Sequence, residues 1–202
     1  MMTREQANEL LLWAHEQNPG PWLAHSQVAA RAAEGIAQAC GMDVEKAYIM
    51  WLLHDIGRYE GIRDLHHVVA GYRLMMEKNE PAIARICLTH SFPIPEIGVF
   101  SGKLDCEPQE LDFLNEALVQ AEYNEYDHLI QLCDSLALAG GISTVEARLI
   151  DVSLRHGFNA YTQRKWQAFL DLKKEFDARC GTNIYLLFYD EISRRIFAEP
   201  VK

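Results

Sequence analysis

Five stretches of the sequence place an imidazole or a carboxylate among apolar residues. His25 lies in "WLAHSQVAARAA", His54 and Asp55 end "IMWLLHD", His66 and His67 open "HHVVAGYRLM", His90 closes "ARICLTH" and Asp134 sits inside "LIQLCDSLALAG". Burying such groups is costly unless they are paired or bound to a cation. Several of them, brought from separate helices, satisfy one another most simply around a metal ion. Adjacent helical residues point about 100° apart, so His54 and Asp55 do not share one stripe. Near a helix end both can still reach a cation beside the terminus, and Asp55 could then bridge to a second. Taken singly, His25 or His90 reads as a core histidine bonded to a backbone carbonyl. Asp134 alone could be satisfied by a neighbouring backbone group or an arginine. His15, His128 and His156 have no comparable setting and read as surface or internally satisfied residues.

The elements that must position these groups read as helices. Thr3 caps a predicted helix to about residue 17, "NPGP" at residues 18–21 breaks the chain, and a second helix runs to Gly41. Asp43 caps a third, "VEKAYIMWLLHDI", whose apolar density marks a central position and which Gly57 is expected to end. A fourth starts after Asp64 and runs to about residue 78, and Asn79 with Pro81 opens a fifth, "AIARICLTH". Residues 92–108 form the longest irregular stretch, of a length commonly used for lids and binding loops. Further helices are expected over about 108–122 and 124–139, and from Ser143, with Glu146 at the spacing of a capping box. Two more follow over about 160–180 and 183–197, with a short strand as the alternative for "NIYLLFY". There is no internal repeat, low-complexity tract or obvious interdomain linker.

The chain of 202 residues is 49% apolar and 24% charged, the balance of a soluble globular protein. Nineteen basic against 29 acidic side chains give a net charge of −10, which disfavours attraction to nucleic acid or to anionic membranes. With no basic stripe or aromatic platform, neither partner is expected. A phosphate ligand would therefore need a local cation. The five cysteines are widely separated, and Cys40, Cys87 and Cys133, set in apolar helical patterns, read as buried reduced thiols. The N-terminal "MMTREQANEL" lacks the features of a secretory signal, and no window reaches the roughly 18 apolar residues of a membrane span. A cytoplasmic, reducing location is the expectation.

The order His25, His54-Asp55, Asp134 resembles the metal-binding signature of the HD superfamily of metal-dependent phosphohydrolases, and "HDIG" at residues 54–57 is the form for which one branch is named. The resemblance covers about residues 20–140. It implies an all-α fold: a single HD-type domain over residues 1–202, with a helical extension over about 141–202. That tail reads as added core or a self-association surface, which would make a homo-oligomer. "LHHVVAGYRLM" and "ICLTHSF" resemble the helices that supply further histidines in the binuclear branch. Aligning Ala70 and Gly71 with that branch favours His66 over His67. The implied ligand set is His25, His54, Asp55, His66, His90 and Asp134, holding two divalent ions with Asp55 bridging. Iron, manganese or another first-row metal suits these ligands, and magnesium is compatible.

The implied activity is hydrolysis of a small phosphorylated molecule, such as a nucleotide, by a metal-activated hydroxide, with Asp55 and Arg58 as catalytic residues. Arg58 matches a position that often carries a cation near the substrate phosphate, and Lys103 in the long loop is a second substrate-binding candidate. Two other readings share the ligand order: a dinuclear-iron oxygenase, and a non-catalytic, metal-stabilised nucleotide sensor. No tandem histidine follows His90, and the Gly-Tyr-Pro signature of cyclic-dinucleotide phosphodiesterases is absent, so that substrate class is not implied.

Overall fold

Several helices begin where the sequence supplies a cap, and three end at a glycine. In the computed structural model, which describes residues 1–197, α1 (Arg4–Gln17) starts at Thr3. The Thr3 hydroxyl accepts from the Gln6 amide while the Gln6 side chain accepts from the Thr3 amide. Helix α2 (Trp22–Cys40) ends at Gly41, whose φ of 69° only glycine adopts freely. Asp43 caps α3 (Val44–Leu52), Pro81 opens α5 (Pro81–Thr89) and Asn124 caps α7 (Glu125–Asp134). Between them lie α4 (His66–Glu77) and α6 (Pro108–Gln120). The C-terminal extension adds α8 (Val145–His156), α9 (Thr162–Cys180) and α10 (Tyr189–Ile196). The protein is thus a predominantly helical domain with a helical extension.

The main core gathers Ile36 from α2, Trp51 and Leu52 from α3, Ile83 and Cys87 from α5, Leu129 and Cys133 from α7, and Phe176 from α9. A smaller core under the loop after α5 joins Leu65, Val68, Phe92, Val99, Leu114 and Leu118. Burial of side chains this size contributes about 1.5–3 kcal/mol each, so α3 is fixed at the centre by its own composition. Buried Phe169, Leu172 and Phe176 hold α9 against the preceding helices.

Several boundaries differ from the sequence expectation. Helix α3 stops at Leu52, and Gly57 lies inside a following 3-10 turn, Ile56–Glu60, rather than ending the helix. Its role is close approach: a Cβ there would overlap the His67 carbonyl oxygen and the Gly71 amide nitrogen of α4. Helix α7 ends at Asp134 rather than 139, and a two-residue hairpin follows, β1 (Ala137–Leu138) paired antiparallel with β2 (Gly141–Ile142). Thr144, not Ser143, caps α8. The segment "NIYLLFY" is neither strand nor continuous α-helix: Ile184–Phe188 is a 3-10 turn leading into α10.

Cys40 is not a free thiol. It forms a disulfide with Cys180, a partner 140 residues away. Each is the last residue of its helix before a left-handed glycine, Gly41 or Gly181, and this pairing of helix ends is invisible to local spacing. It removes the cysteine argument for a reducing compartment. Cys87 and Cys133 are buried thiols as expected. No helix among the described residues is long and apolar enough to cross a membrane.

Replacing Gly57 by Ala should force the 3-10 turn away from α4 and destabilise the protein by about 3 kcal/mol. Thermal unfolding would register this as a drop of roughly 5–10 °C; an unchanged midpoint would show that the two backbones can separate at no cost.

Candidate metal centre

Helix ends build the site. His54 and Asp55 follow the last turn of α3, His90 caps the C-terminus of α5, and Asp134 is the last residue of α7. Three helices therefore direct the negative ends of their dipoles at one place, which favours a cation there. His25 comes from the first turn of α2 and His67 from the first turn of α4. A buried polar network secures the arrangement. Asp127 of α7 accepts from the Thr89 hydroxyl at 2.7 Å, and the Gln131 side-chain amide donates to the Thr89 and Phe92 carbonyls.

Two groups of potential ligands share Asp55: His25, His54 and Asp55 on one side, and Asp55, His67 and His90 on the other. His67 Nε2 lies 3.0 Å and His90 Nε2 3.5 Å from Asp55 Oδ1, while His54 Nε2 lies 3.8 Å from Oδ2. Asp134 joins the first group through His25, with Oδ1 2.9 Å from His25 Nε2.

The hydrogen bonds set the imidazole tautomers. His54 Nδ1 donates to the Trp51 carbonyl at 2.7 Å, His90 Nδ1 to that of Cys87 at 2.9 Å, and His67 Nδ1 to that of Asp64. Each acceptor is the residue three positions earlier. A carbonyl can only accept, so each Nδ1 carries a proton and, in the neutral ring, each Nε2 presents its lone pair. Burial pushes the His54 pKa down to about 3, against the attraction of Asp55, and burial with the nearby Arg58 lowers that of His67. Burial opposes ionisation of Asp55, yet the Arg58 guanidinium beside it holds its pKa well below the usual range. His67 Nε2 and His90 Nε2 are 3.3 Å apart, two lone pairs facing each other beside a carboxylate. His54 Nε2 and Asp55 Oδ1 are buried with no hydrogen-bond partner. Orphaned acceptors converging without a donor are what a cation would satisfy, and the donor set of neutral imidazoles and carboxylates suits first-row divalent metals. The residues present fit two divalent ions.

The histidine pair resolves against the sequence expectation. His66 points away from Asp55: its Nε2 meets Glu60 at 2.8 Å and its Nδ1 meets Glu110 at 3.2 Å. His67, one residue and about 100° further round the helix, faces Asp55 and His90. His66 does come near Cys106 and Glu110, but Arg73 already neutralises Glu110 at 2.6 Å.

The clusters open into a cavity of about 460 Å³, walled in part by Trp22 and Phe100. Arg58 lines it, with Nε donating to Asp55 Oδ2 at 2.7 Å. Lys103 does not. Its amide donates to Asp64, its carbonyl accepts from Leu65, and its side chain is exposed, because Asp64 and Asp105 fold the loop back so that Phe100, Ser101 and Gly102 line the cavity instead. Arg148, Asp151, Arg155 and Lys165 of the extension also line it. The spacing of Arg148, Asp151 and Arg155 puts them on one helical face, a periodicity that could have revealed them.

A family model described as "HD domain" matches residues 22–139. Over 67 residues the chain is 40% identical to ribonuclease Y of Mycoplasma capricolum subsp. capricolum, and equally to ribonuclease Y of Mycoplasma mycoides subsp. mycoides SC. The matched stretch is 33% of this chain and 13% of each relative, so the likeness spans a small part of their length. No solved structure matches significantly.

His54 is neutral in the chelator-treated fold until far below its ordinary pKa of 6.5. The unfolded chain therefore binds more protons as pH falls, and stability is lost in that direction. We expect chelated protein to lose about 2 kcal/mol from His54 between pH 6.5 and 5, and His54→Gln to lack that part of the slope in denaturant titrations. An identical slope in the variant would remove His54 as its source.

Proposed function

The chain belongs to the HD domain family, and from that premise we propose that it hydrolyses a phosphoester or phosphoanhydride of a small molecule, such as a nucleotide. Metal-dependent phosphohydrolase chemistry is the family-level activity, and the two clusters supply its metal sites. The observation that carries the reading is that both clusters share Asp55 and open into one cavity of about 460 Å³. That volume suits a small ligand. The Trp22 and Phe100 walls offer apolar faces for a base or similar ring.

In this reading His25, His54, Asp55 and Asp134 hold one cation, and Asp55, His67 and His90 hold the second. Bound divalent ions would lower the pKa of a water molecule and neutralise charge on phosphoryl oxygens. The protein's own part is to fix the ligands. Backbone carbonyls lock three imidazoles in the metal-binding tautomer, and Asp55 presents one oxygen to each side. Arg58, held against Asp55, supplies a fixed guanidinium for a phosphate oxygen and offsets the acidity of the chain.

Ribonuclease Y is by its name a ribonuclease, an enzyme acting on phosphodiester bonds. RNA is not proposed here, because the chain carries a net charge of −10 and matches only 13% of that protein.

Turnover of a panel by metal-reconstituted protein tests the reading, followed as phosphate release from phosphomonoesters and nucleotides and as release of the alcohol from diesters. Asp55→Ala should lose both metal and activity; full metal content in that variant would contradict a bridging role. His67→Ala should lose about half the metal, whereas His66→Ala should keep all of it; the reverse pattern would restore His66 as the ligand. Arg58→Ala should raise KM about tenfold with metal unchanged, as expected for one charged hydrogen bond, and an unaltered KM would leave Arg58 no role with substrate.

A further inference from the structure

The cavity wall contributed by α8 and α9 has no part in the two clusters, and its charge is opposite to that of the chain. Three cations, Arg148, Arg155 and Lys165, face one carboxylate, Asp151. Asp151 Oδ2 is shared: Arg155 reaches it at 2.9 Å and Arg148 at 3.4 Å. Arg148 also stands 3.9 Å from Asp134 Oδ1, next to the first cluster. Lys165 differs from both. Its Nζ donates to the Ser101 hydroxyl at 3.0 Å, and among the described residues no carboxylate lies within ion-pair distance. It is half-buried, and desolvation, with Arg148 nearby, lowers its pKa to about 8 against the attraction of Asp134. Lys165 and Arg148 line both the main cavity and an adjoining recess of about 70 Å³ bounded by Trp166 and Phe169.

A half-buried ammonium whose direct partner is a hydroxyl and not a carboxylate calls for the opposite kind of ligand from the orphaned acceptors of the metal clusters. We propose that Lys165, with Arg148 and the Ser101 hydroxyl, forms an anion subsite for a second phosphate of the substrate. The substrate is then a small molecule with two phosphates, one to be cleaved at Asp55 and Arg58 and the other held by the extension. This rests on the hydrolase reading for the first phosphate only. Two cations and a hydroxyl donor converging on one recess suit the several oxygens of a phosphate better than the two of a carboxylate. Arg148 and Lys165 lie outside residues 22–139, so the family match does not supply them.

The test has two arms. In the first, inorganic phosphate is titrated into chelator-treated protein by calorimetry, where no metal can bind it. Wild type should bind, Lys165→Gln should bind about tenfold or more weakly, and Lys165→Arg should recover most of the affinity. Equal affinity in wild type and Lys165→Gln would overturn the subsite, and so would failure of Lys165→Arg to recover in a variant shown to be folded. In the second arm, metal-loaded protein is given adenosine 3′,5′-bisphosphate and adenosine 5′-monophosphate. Lys165→Gln should raise KM for the bisphosphate while leaving the monophosphate unaffected; equal losses on both would also overturn the proposal. Lysine-dependent phosphate binding with no turnover of any ester would sink the hydrolase reading and leave the subsite standing.

Discussion

A buried carboxylate surrounded by lone pairs is the constraint on which the structure turns. Asp55 is ionised, nearly inaccessible, and faces imidazole nitrogens that cannot donate to it. Among the described residues only Arg58 offsets its charge by direct contact, and from one side. Such an arrangement is unfavourable on its own and favourable with cations in place, so folding and metal binding are linked. The 3-10 turn after α3 and the Gly57 contact with α4 keep that carboxylate where several helices end, and the dipoles of α3, α5 and α7 add to the need for a cation beside it.

The site's two halves differ in electrostatic logic. The clusters are rich in acceptors and suited to cations, whereas the wall built by α8 and α9 is rich in cations and suited to anions. A protein of net charge −10 can handle phosphate only by concentrating positive charge locally. Here bound metals, Arg58 and the extension's Arg148 and Lys165 would supply it. The extension is therefore part of the cavity, beyond the added core or self-association surface expected from its sequence, and the Cys40–Cys180 disulfide ties α9 to α2, the helix that carries His25.

Much of this was legible in the sequence. Caps at Thr3 and Asp43 announced α1 and α3, because a cap is a local hydrogen-bond requirement, and Pro81 announced α5, because its fixed φ suits the first helical position; Asn79 makes no cap there. Polar groups at His25, His54-Asp55, His90 and Asp134 in apolar helices pointed to a metal centre, because such groups need partners, and the order His25, His54-Asp55, Asp134 did so through its resemblance to the HD signature. What failed was non-local or rotational. His66 and His67 differ by one step around α4, and the way that helix packs on its neighbours, which local sequence does not state, turns His67 toward Asp55 and His66 toward Glu60 and Glu110. Lys103 looked like a loop cation near the site, but two aspartates, Asp64 and Asp105, fold its loop so that it faces outward. The cation on the cavity wall is Lys165, some 60 residues later and on a helix whose pattern reads as ordinary amphipathic surface. Cys40 and Cys180 likewise meet only because two helices end side by side.

Anomalous diffraction from crystals of metal-replete protein, collected at the absorption edge of the bound metal, addresses the central claim directly. Two peaks are expected, one beside His25, His54 and Asp134 and the other beside His67 and His90, with Asp55 between them. A single peak, or a peak at His66 and Glu110 in place of one of these, would contradict a binuclear centre bridged by Asp55.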